Sequence, residues 1–187
     1  MQTTRGFTLV ELLVVISIIA ILSTIGLVMY DNAQKQARIS KRIKDLTAIQ
    51  TALELYYSVN KTYPVVTLGM DTIFRSECSS WGGYSSDEVI PNPSGYPSFV
   101  PTYMSAFPSD PSMIAGSVNQ NCYIYRSNGS EYKIMGYNVI EFSQDDYKSQ
   151  RNLIDTRRDG GTDSCKYEEG AGNIYSWALY SSGGCVY

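Results

Sequence analysis

Apolar residues fill the first part of the chain almost without interruption. Across residues 9–29 a single carboxylate, that of Glu11, does not suit the hydrocarbon interior of a bilayer. The run has the length of a membrane-spanning helix, which needs roughly 20 residues at about 1.5 Å each. Asp31, Asn32 and Gln34 follow it, where a secretory signal peptide has a small-residue cleavage site. The pattern therefore predicts a helix that spans a membrane.

Helical periodicity continues through residues 31–63, now in a polar setting and without Gly or Pro. Apolar side chains recur at three-to-four spacing, which predicts an amphipathic helix with one face for a core. That face consists of Ile39, Ile43, Leu46, Leu53 and Tyr57, with Gln50 filling the gap and Ile49 and Tyr56 widening the stripe. Pro64 restricts Tyr63 and ends the helix nearby. We predict one helix from about Thr8 to Val59.

A small antiparallel sheet is predicted in the second half of the chain. Residues 122–141 alternate around Asn128 and Gly129, and an Asn-Gly pair flanked by alternating residues is the strongest short hairpin signal. A third strand is predicted over residues 174–180, and the chain beyond Glu141 is otherwise expected to be loop. The predicted fold class is α+β: a long N-terminal helix, transmembrane in its first half, packed through its second half on this sheet.

The chain after Pro64 is polar and acidic. Residues 65–120 contain most of the prolines and many Gly and Ser, which is typical of a long connecting loop. Through Pro64 there are seven Lys and Arg against four Asp and Glu, a net charge of +3, and after it eight against fourteen, a net charge of −6. Lys and Arg supply most non-specific affinity for phosphates, so nucleic acid has no support as a partner of the acidic part.

Four cysteines indicate an oxidising environment. Cys78, Cys122, Cys165 and Cys185 form no C-x-x-C pair, and the chain contains no histidine, so disulfides are favoured over a zinc site. Disulfides persist outside the cytoplasm. Four cysteines allow three pairings. We favour Cys165 with Cys185, which closes a C-terminal loop, and hence Cys78 with Cys122.

No catalytic pattern is present in the sequence. Without histidine the usual base for a serine or cysteine nucleophile is missing, and no G-x-S-x-G pattern occurs. The phosphate-binding pattern G-x-x-x-x-G-K-[ST] is also absent, which excludes a motor ATPase of that type. We therefore expect that the chain is not an enzyme.

Residues 6–13, GFTLVELL, resemble the class III signal of type IV pilins and type II secretion pseudopilins. The resemblance implies that a prepilin peptidase cuts between Gly6 and Phe7 and methylates the new N-terminal amine. It also implies a role for Glu11, whose carboxylate would pair with the N-terminal amine of a neighbouring subunit as the helices bundle. A lone carboxylate in a membrane segment costs about 2.5–3.5 kcal/mol, and an opposite charge in the same low dielectric offsets that cost.

The resemblance further implies a helical homopolymer with minor pilins, and partners in the prepilin peptidase, an assembly platform and a motor. The precursor would sit in the inner membrane with its head outside, and the assembled filament would be extracellular. The predicted segments are a leader (1–6), a transmembrane and polymerisation helix (7–30), an amphipathic second half (31–63) and a globular head (64–187).

A basic collar follows the apolar run and consists of Lys35, Arg38, Lys41, Arg42 and Lys44. By the positive-inside rule this collar would hold the following chain in the cytoplasm, against the disulfides. We favour a head outside the cytoplasm, as the cysteines and the pilin resemblance indicate. We interpret the collar as a partner for acidic surfaces on adjacent subunits. A solvated helix face or contact with anionic lipid headgroups is the alternative.

Two further stretches resemble family elements. Residues 96–111, YPSFVPTYMSAFPSDP, are similar to the L-x-P-Y-L-x-x-L-P-x-D-P element that many pilins and major pseudopilins place before the first strand; here Asp110 is expected to cap a turn. Asp155, Asp159 and Asp163 lie in a late loop, where major pseudopilins bind calcium. The calcium hypothesis has an alternative in an ordinary solvated loop, because the spacing does not match an EF-hand.

These patterns lead to one main interpretation and two alternatives. The main one is a structural subunit of a type IV pilus that serves adhesion, motility or DNA uptake, favoured by the four cysteines and the long connecting loop. The first alternative is a pseudopilin of a type II secretion system, favoured by the pre-strand element and the calcium hypothesis. The second is a membrane-tethered binding module that does not polymerise, in which Glu11 is incidental and residues 1–6 are retained.

Overall fold

A computed structural model describes residues 6–65, 75–76, 90, 98–113, 120–155 and 175–186, without the side chains of residues 25–28, 75–76 and 186. The chain divides into two compact units, residues 1–39 and 40–187. Helix α1, Leu9–Asn60, runs for 52 residues and confirms the predicted helix to within one residue at each end. It ends where Lys61 adopts a left-handed conformation, with φ of 58°. Pro64 follows and cannot extend the helix.

The core face of α1 differs from the predicted one. Leu46, Ile49, Leu53 and Tyr56 are fully buried, and Arg42 is buried with them at 1% exposure. Ile43 is only half-buried, and Tyr57 is exposed. The prediction of Ile43 and Tyr57 as core positions was therefore wrong, because it assigned Arg42 to the basic collar instead of the core face. The buried stripe instead keeps three-to-four spacing from Arg42 to Tyr56.

The sheet is antiparallel throughout and has the order β1-β2-β3-β4. Its strands are β1, Arg75–Ser76; β2, Cys122–Ser127; β3, Tyr132–Tyr137; and β4, Trp177–Tyr180. The hairpin of β2 with β3 and the third strand confirm the predicted sheet. The two-residue β1 was not predicted, since so short an edge strand carries no periodic signal.

The hairpin turn shows why the Asn-Gly signal succeeds. The side-chain oxygen of Asn128 accepts hydrogen bonds from the backbone amides of Ser130 (2.9 Å) and Glu131 (2.8 Å). Gly129 has φ of 93°, and a Cβ there would lie 2.8 Å from the Thr62 hydroxyl oxygen. Both the backbone conformation and the close approach of the segment after α1 therefore require glycine at this position.

Both faces of the sheet are covered. On the face toward α1, the Tyr123 hydroxyl donates to Asp45 (2.9 Å) and the Tyr132 hydroxyl donates to Glu54 (3.0 Å). The opposite face carries a cluster of buried side chains: Cys122, Ile124, Met135, Tyr137 and Ala178. Burial on both sides explains why neighbouring positions along these strands, and not only every second one, carry aromatic and apolar residues.

Short helices flank the sheet. Helix α2, Phe99–Thr102, lies in the connecting region, and α3, Gln144–Lys148, follows β3. Helical turns of the 3₁₀ type cover Arg151–Leu153 and Gly184–Val186. The expectation of loop beyond Glu141 was thus wrong in part.

Helix α3 has a local signal in the sequence that the loop prediction overlooked. Ser143 and Asp146 form a capping box at its N-terminus, in which each side chain accepts a hydrogen bond from the other residue's backbone amide. Tyr147 is buried on the same short helix, which anchors it to the head.

Candidate functional site

The predicted cleavage site lies in an exposed segment. Gly6 and Phe7 precede α1, and Phe7 is 87% exposed. A Cβ on Gly6 would meet no atom within 4 Å. The Gly6–Phe7 bond is accordingly open to a peptidase on the described part of the chain, whereas residues 1–5 lie outside the described residues.

Glu11 caps the start of α1, which the sequence analysis missed. Its carboxylate accepts hydrogen bonds from the Thr8 amide (2.8 Å) and the Thr8 hydroxyl (2.7 Å), while the Glu11 amide donates to the Thr8 hydroxyl oxygen (3.3 Å). This is a capping box, and its T-x-x-E signal was visible in the sequence. The box holds the carboxylate at the positive end of the helix dipole, beside Phe7. Glu11 thus has polar partners within its own chain before any neighbour arrives.

The first half of α1 presents an apolar surface. An 18-residue window of this helix has a mean hydropathy of 2.8, and none of that window is buried in the protein, so the helix is long and apolar enough to cross a membrane. The side chains that are most exposed, at 56% or more, include Leu9, Val10, Leu12, Leu13, Ile16, Ile19, Ile21 and Leu22. Such a surface needs lipid or other helices around it.

Arg42 is the centre of a buried ion cluster in the head. Its guanidinium donates two hydrogen bonds to the Asp110 carboxylate, from Nε at 2.7 Å and from one terminal nitrogen at 2.9 Å. It also donates to Glu141 and to the Ser112 hydroxyl. A forked donor that meets a carboxylate in this way fixes geometry as well as charge. The Arg42 side chain thereby joins α1 to the segment around Asp110 and to the segment around Glu141, which follows β3.

The electrostatics of the cluster favour the charged form of Arg42. Burial disfavours its charge, but the hydrogen bonds and Coulombic attraction of Asp110 and then Glu141 outweigh burial and raise the pKa of Arg42. The Phe142 ring lies 5.5 Å from the guanidinium carbon, in cation–π distance. Arg42 therefore cannot serve as a collar residue for an adjacent subunit, and that part of the collar interpretation was wrong.

The other collar residues differ among themselves. Lys41 donates to Asp45 (2.5 Å) and to the Ser109 carbonyl (2.9 Å), so it also contacts the segment around Asp110. Lys44 is exposed, and Lys35 and Arg38 are half-buried.

Asp110 caps a turn, as predicted. Its side chain accepts from the Ser112 amide at 2.8 Å, and its carbonyl accepts from the Met113 amide at 3.0 Å. The sequence analysis did not predict its ion pair with Arg42, because the two residues are 68 positions apart.

The structure describes one of the three residues of the calcium hypothesis. Asp155 is fully buried, and its carboxylate oxygen accepts from the Lys133 ammonium at 2.7 Å. Asp159 and Asp163 lie outside the described residues. Within the described part of the chain no group of three or more acidic, Cys or His side chains could hold a metal ion. An ammonium thus contacts Asp155, and the calcium hypothesis itself stays a prediction.

The predicted disulfide residues are described only in part. Cys122 and Cys185 are both disulfide-bonded and buried. Cys78 and Cys165 lie outside the described residues, so the proposed pairing stays a prediction.

Comparison with known proteins extends these observations. A family model described as the prokaryotic N-terminal methylation motif matches residues 1–27. The type II secretion system core protein G of Klebsiella pneumoniae is 30% identical over 111 residues, which cover 59% of this chain and 71% of that protein. The chain belongs to the type IV pilin and type II secretion pseudopilin family. Membership and the apolar α1 indicate a membrane-anchored precursor.

Other family members match the chain over a shorter stretch. Prepilin peptidase-dependent protein D of Escherichia coli K12 is 47% identical over 55 residues, which cover 29% of this chain and 38% of that protein. A fimbrial protein of Pseudomonas aeruginosa is 33% identical over 54 residues, which cover 29% of this chain and 35% of that protein. No solved structure gave a significant match.

Proposed function

We propose that this chain is a structural subunit, not an enzyme, that polymerises through α1 after cleavage between Gly6 and Phe7. The observation that carries the proposal is the exposed apolar half of α1 with a single carboxylate, Glu11, at its start. In the precursor, lipid covers this apolar surface. In a filament, the helices of neighbouring subunits cover it. The head then remains outside the membrane.

Glu11 supplies the register of assembly. Cleavage creates an ammonium on Phe7. A neighbour's ammonium can pair with the Glu11 carboxylate without disrupting the start of the helix, because the Thr8 hydroxyl stays hydrogen-bonded to the same carboxylate. An ion pair in a low-dielectric bundle strongly disfavours registers that leave either charge unpaired.

For the task of the filament we propose type II secretion, as a pseudopilin. The match to core protein G covers 111 residues and thus extends beyond α1, while the match to the fimbrial protein covers only 54 residues. A pilus subunit is the second candidate, supported by that fimbrial match. The prepilin peptidase, an assembly platform, a motor and minor subunits are the partners that both candidates imply.

The test of assembly uses Glu11→Ala and Glu11→Gln beside the wild type, all co-expressed with a prepilin peptidase. We expect both variants to insert in the membrane and to be cleaved to a chain that begins at methylated Phe7. Filaments sheared from cells should be abundant for the wild type and scarce for both variants. Thr8→Val is the matched control, because it removes the hydroxyl of the capping box and leaves the carboxylate in place.

Normal filaments from both Glu11 variants would refute the role of the carboxylate, and retention of residues 1–6 on all mature protein would favour the tethered module. To separate the two tasks, deletion of the gene in its native host should deplete secreted proteins from the medium. Loss of surface filaments with unchanged secretion would favour the pilus.

A further inference from the structure

Three segments of the head meet at one buried ammonium. Lys133 lies on β3, an inner strand, and its side chain is fully buried. Its Nζ donates to the Asp155 carboxylate at 2.7 Å and to the Cys185 carbonyl at 3.2 Å. A buried lysine is tolerated only when such partners replace its lost hydration.

Asp155 lies where the chain leaves the sheet and later returns. Its amide donates to the Ser176 carbonyl at 3.1 Å, and Ile154 forms a β-bridge with Trp177. The described residues on either side of 156–174 are thus hydrogen-bonded to each other, and Lys133 contacts this junction through Asp155. The chain beside Cys185 also packs tightly on β3, since a Cβ on Gly184 would lie 2.0 Å from the Tyr132 carbonyl oxygen.

The resemblance to major pseudopilins led us to expect a calcium site formed by Asp155, Asp159 and Asp163, and the geometry at Asp155 argues against its share in such a site. Calcium recruits six to eight oxygen ligands, with carboxylates supplying the charge. One oxygen of the Asp155 carboxylate, Oδ1, already has a cation in contact, and a divalent ion beside the Lys133 ammonium would be repelled. In addition, the side chain of Asp155 is fully buried, whereas a loop ligand has to reach an ion that arrives from solvent.

We infer that the Lys133 ammonium takes the place of a metal ion at this junction. It neutralises the Asp155 carboxylate and donates a hydrogen bond to the Cys185 carbonyl. It so holds residues 155 and 185 against strand β3. Asp155 is consequently not a calcium ligand. The inference concerns the head alone and holds whether or not the chain polymerises.

The experiment compares the full chain in detergent with Lys133→Gln, Asp155→Asn and the double variant, which keeps a neutral hydrogen-bonding pair. Lys44→Gln is the matched control, since it removes an exposed lysine from the same protein. Thermal unfolding is followed by near-ultraviolet circular dichroism, once with EGTA and once with millimolar calcium.

We expect both single variants to melt well below the wild type in EGTA, the double variant to recover part of the loss, and Lys44→Gln to match the wild type. The shift that calcium causes should be equal in the wild type and in the double variant, whether it is zero or not. A calcium shift that is present in the wild type and lost in the double variant would overturn the inference. Wild-type stability of Lys133→Gln in EGTA would overturn it as well.

A measurement on the wild type alone covers the case in which the variants do not fold. Carbodiimide footprinting labels accessible carboxylates, and Asp155 should be protected to the same extent in EGTA and in calcium. Labelling of Asp155 in EGTA that calcium suppresses would identify it as a ligand and refute the assignment of Lys133.

Discussion

Removal of the Arg42 guanidinium should destabilise the head severely. Arg42→Met keeps most of the aliphatic stem but leaves the Asp110 carboxylate, whose side chain is fully buried, without its ion-pair partner. It also removes the ion pair to Glu141, which is 18% exposed in its side chain and can regain water. The main loss is therefore at Asp110.

The magnitude follows from the burial of that carboxylate. Breaking one side of a buried ion pair costs about 3–5 kcal/mol, because it leaves an uncompensated charge in a low dielectric. Since a domain of 150–250 residues loses about 2–4 °C per kcal/mol, the melting temperature should fall by roughly 6–20 °C. Asp110→Asn should cost less than Arg42→Met, because an amide still accepts a hydrogen bond and carries no unpaired charge.

The assay is thermal and urea unfolding of the full chain in detergent, read by near-ultraviolet circular dichroism. Lys44→Met, on the exposed side of the same helix, is the control and should stay within about 0.5 kcal/mol of the wild type. A double-mutant cycle of Arg42→Met with Asp110→Asn isolates the pair. If Arg42→Met unfolded like Lys44→Met, or if the two changes were additive, the reasoning about this cluster would be refuted.

Two further predictions concern the sheet. Hydrogen bonds from the Ser181 hydroxyl and then the Gly183 amide lower the pKa of Glu131, so its stabilising effect is present above the ordinary glutamate pKa and is lost as the pH falls through the lowered value. The melting temperature of Glu131→Gln should accordingly lie below that of the wild type at neutral pH and converge with it in acid; a constant difference across that range would contradict the argument. Gly129→Ala should destabilise the head by more than about 1 kcal/mol, because alanine resists the positive φ and its Cβ would meet Thr62. Ser130→Ala, next to it in the turn, is the control in the same urea titration, and equal midpoints for the two variants would refute the role of the glycine.

The N-terminal half of the candidate site could be predicted because its signals are local. A helix in lipid needs only an unbroken apolar run, and the Gly6–Phe7 junction with Glu11 lies within one short stretch. The same holds for the hairpin, since Asn128 and Gly129 make their decisive hydrogen bonds and backbone geometry within the turn itself.

The ion pairs of the head could not be predicted from these signals. Arg42 was placed in a basic collar for adjacent subunits because a charged residue on an amphipathic helix normally faces outward. Its carboxylate partners are 68 and 99 positions away, and Lys133 is 22 positions from Asp155. No periodicity encodes contacts at such separations.

The sequence by itself thus determined the helix and the hairpin, because the interactions that form them act within a few neighbouring positions. The roles of Gly6, Phe7 and Glu11 in processing and assembly stay predictions. Only the tertiary structure decided which charges lie inside. Folding brings Asp110 and Glu141 to Arg42, and Asp155 to Lys133, and a charge can leave water only where its counter-charge arrives at the same place. The fate of each charged side chain in this head therefore depends on the packing of distant segments.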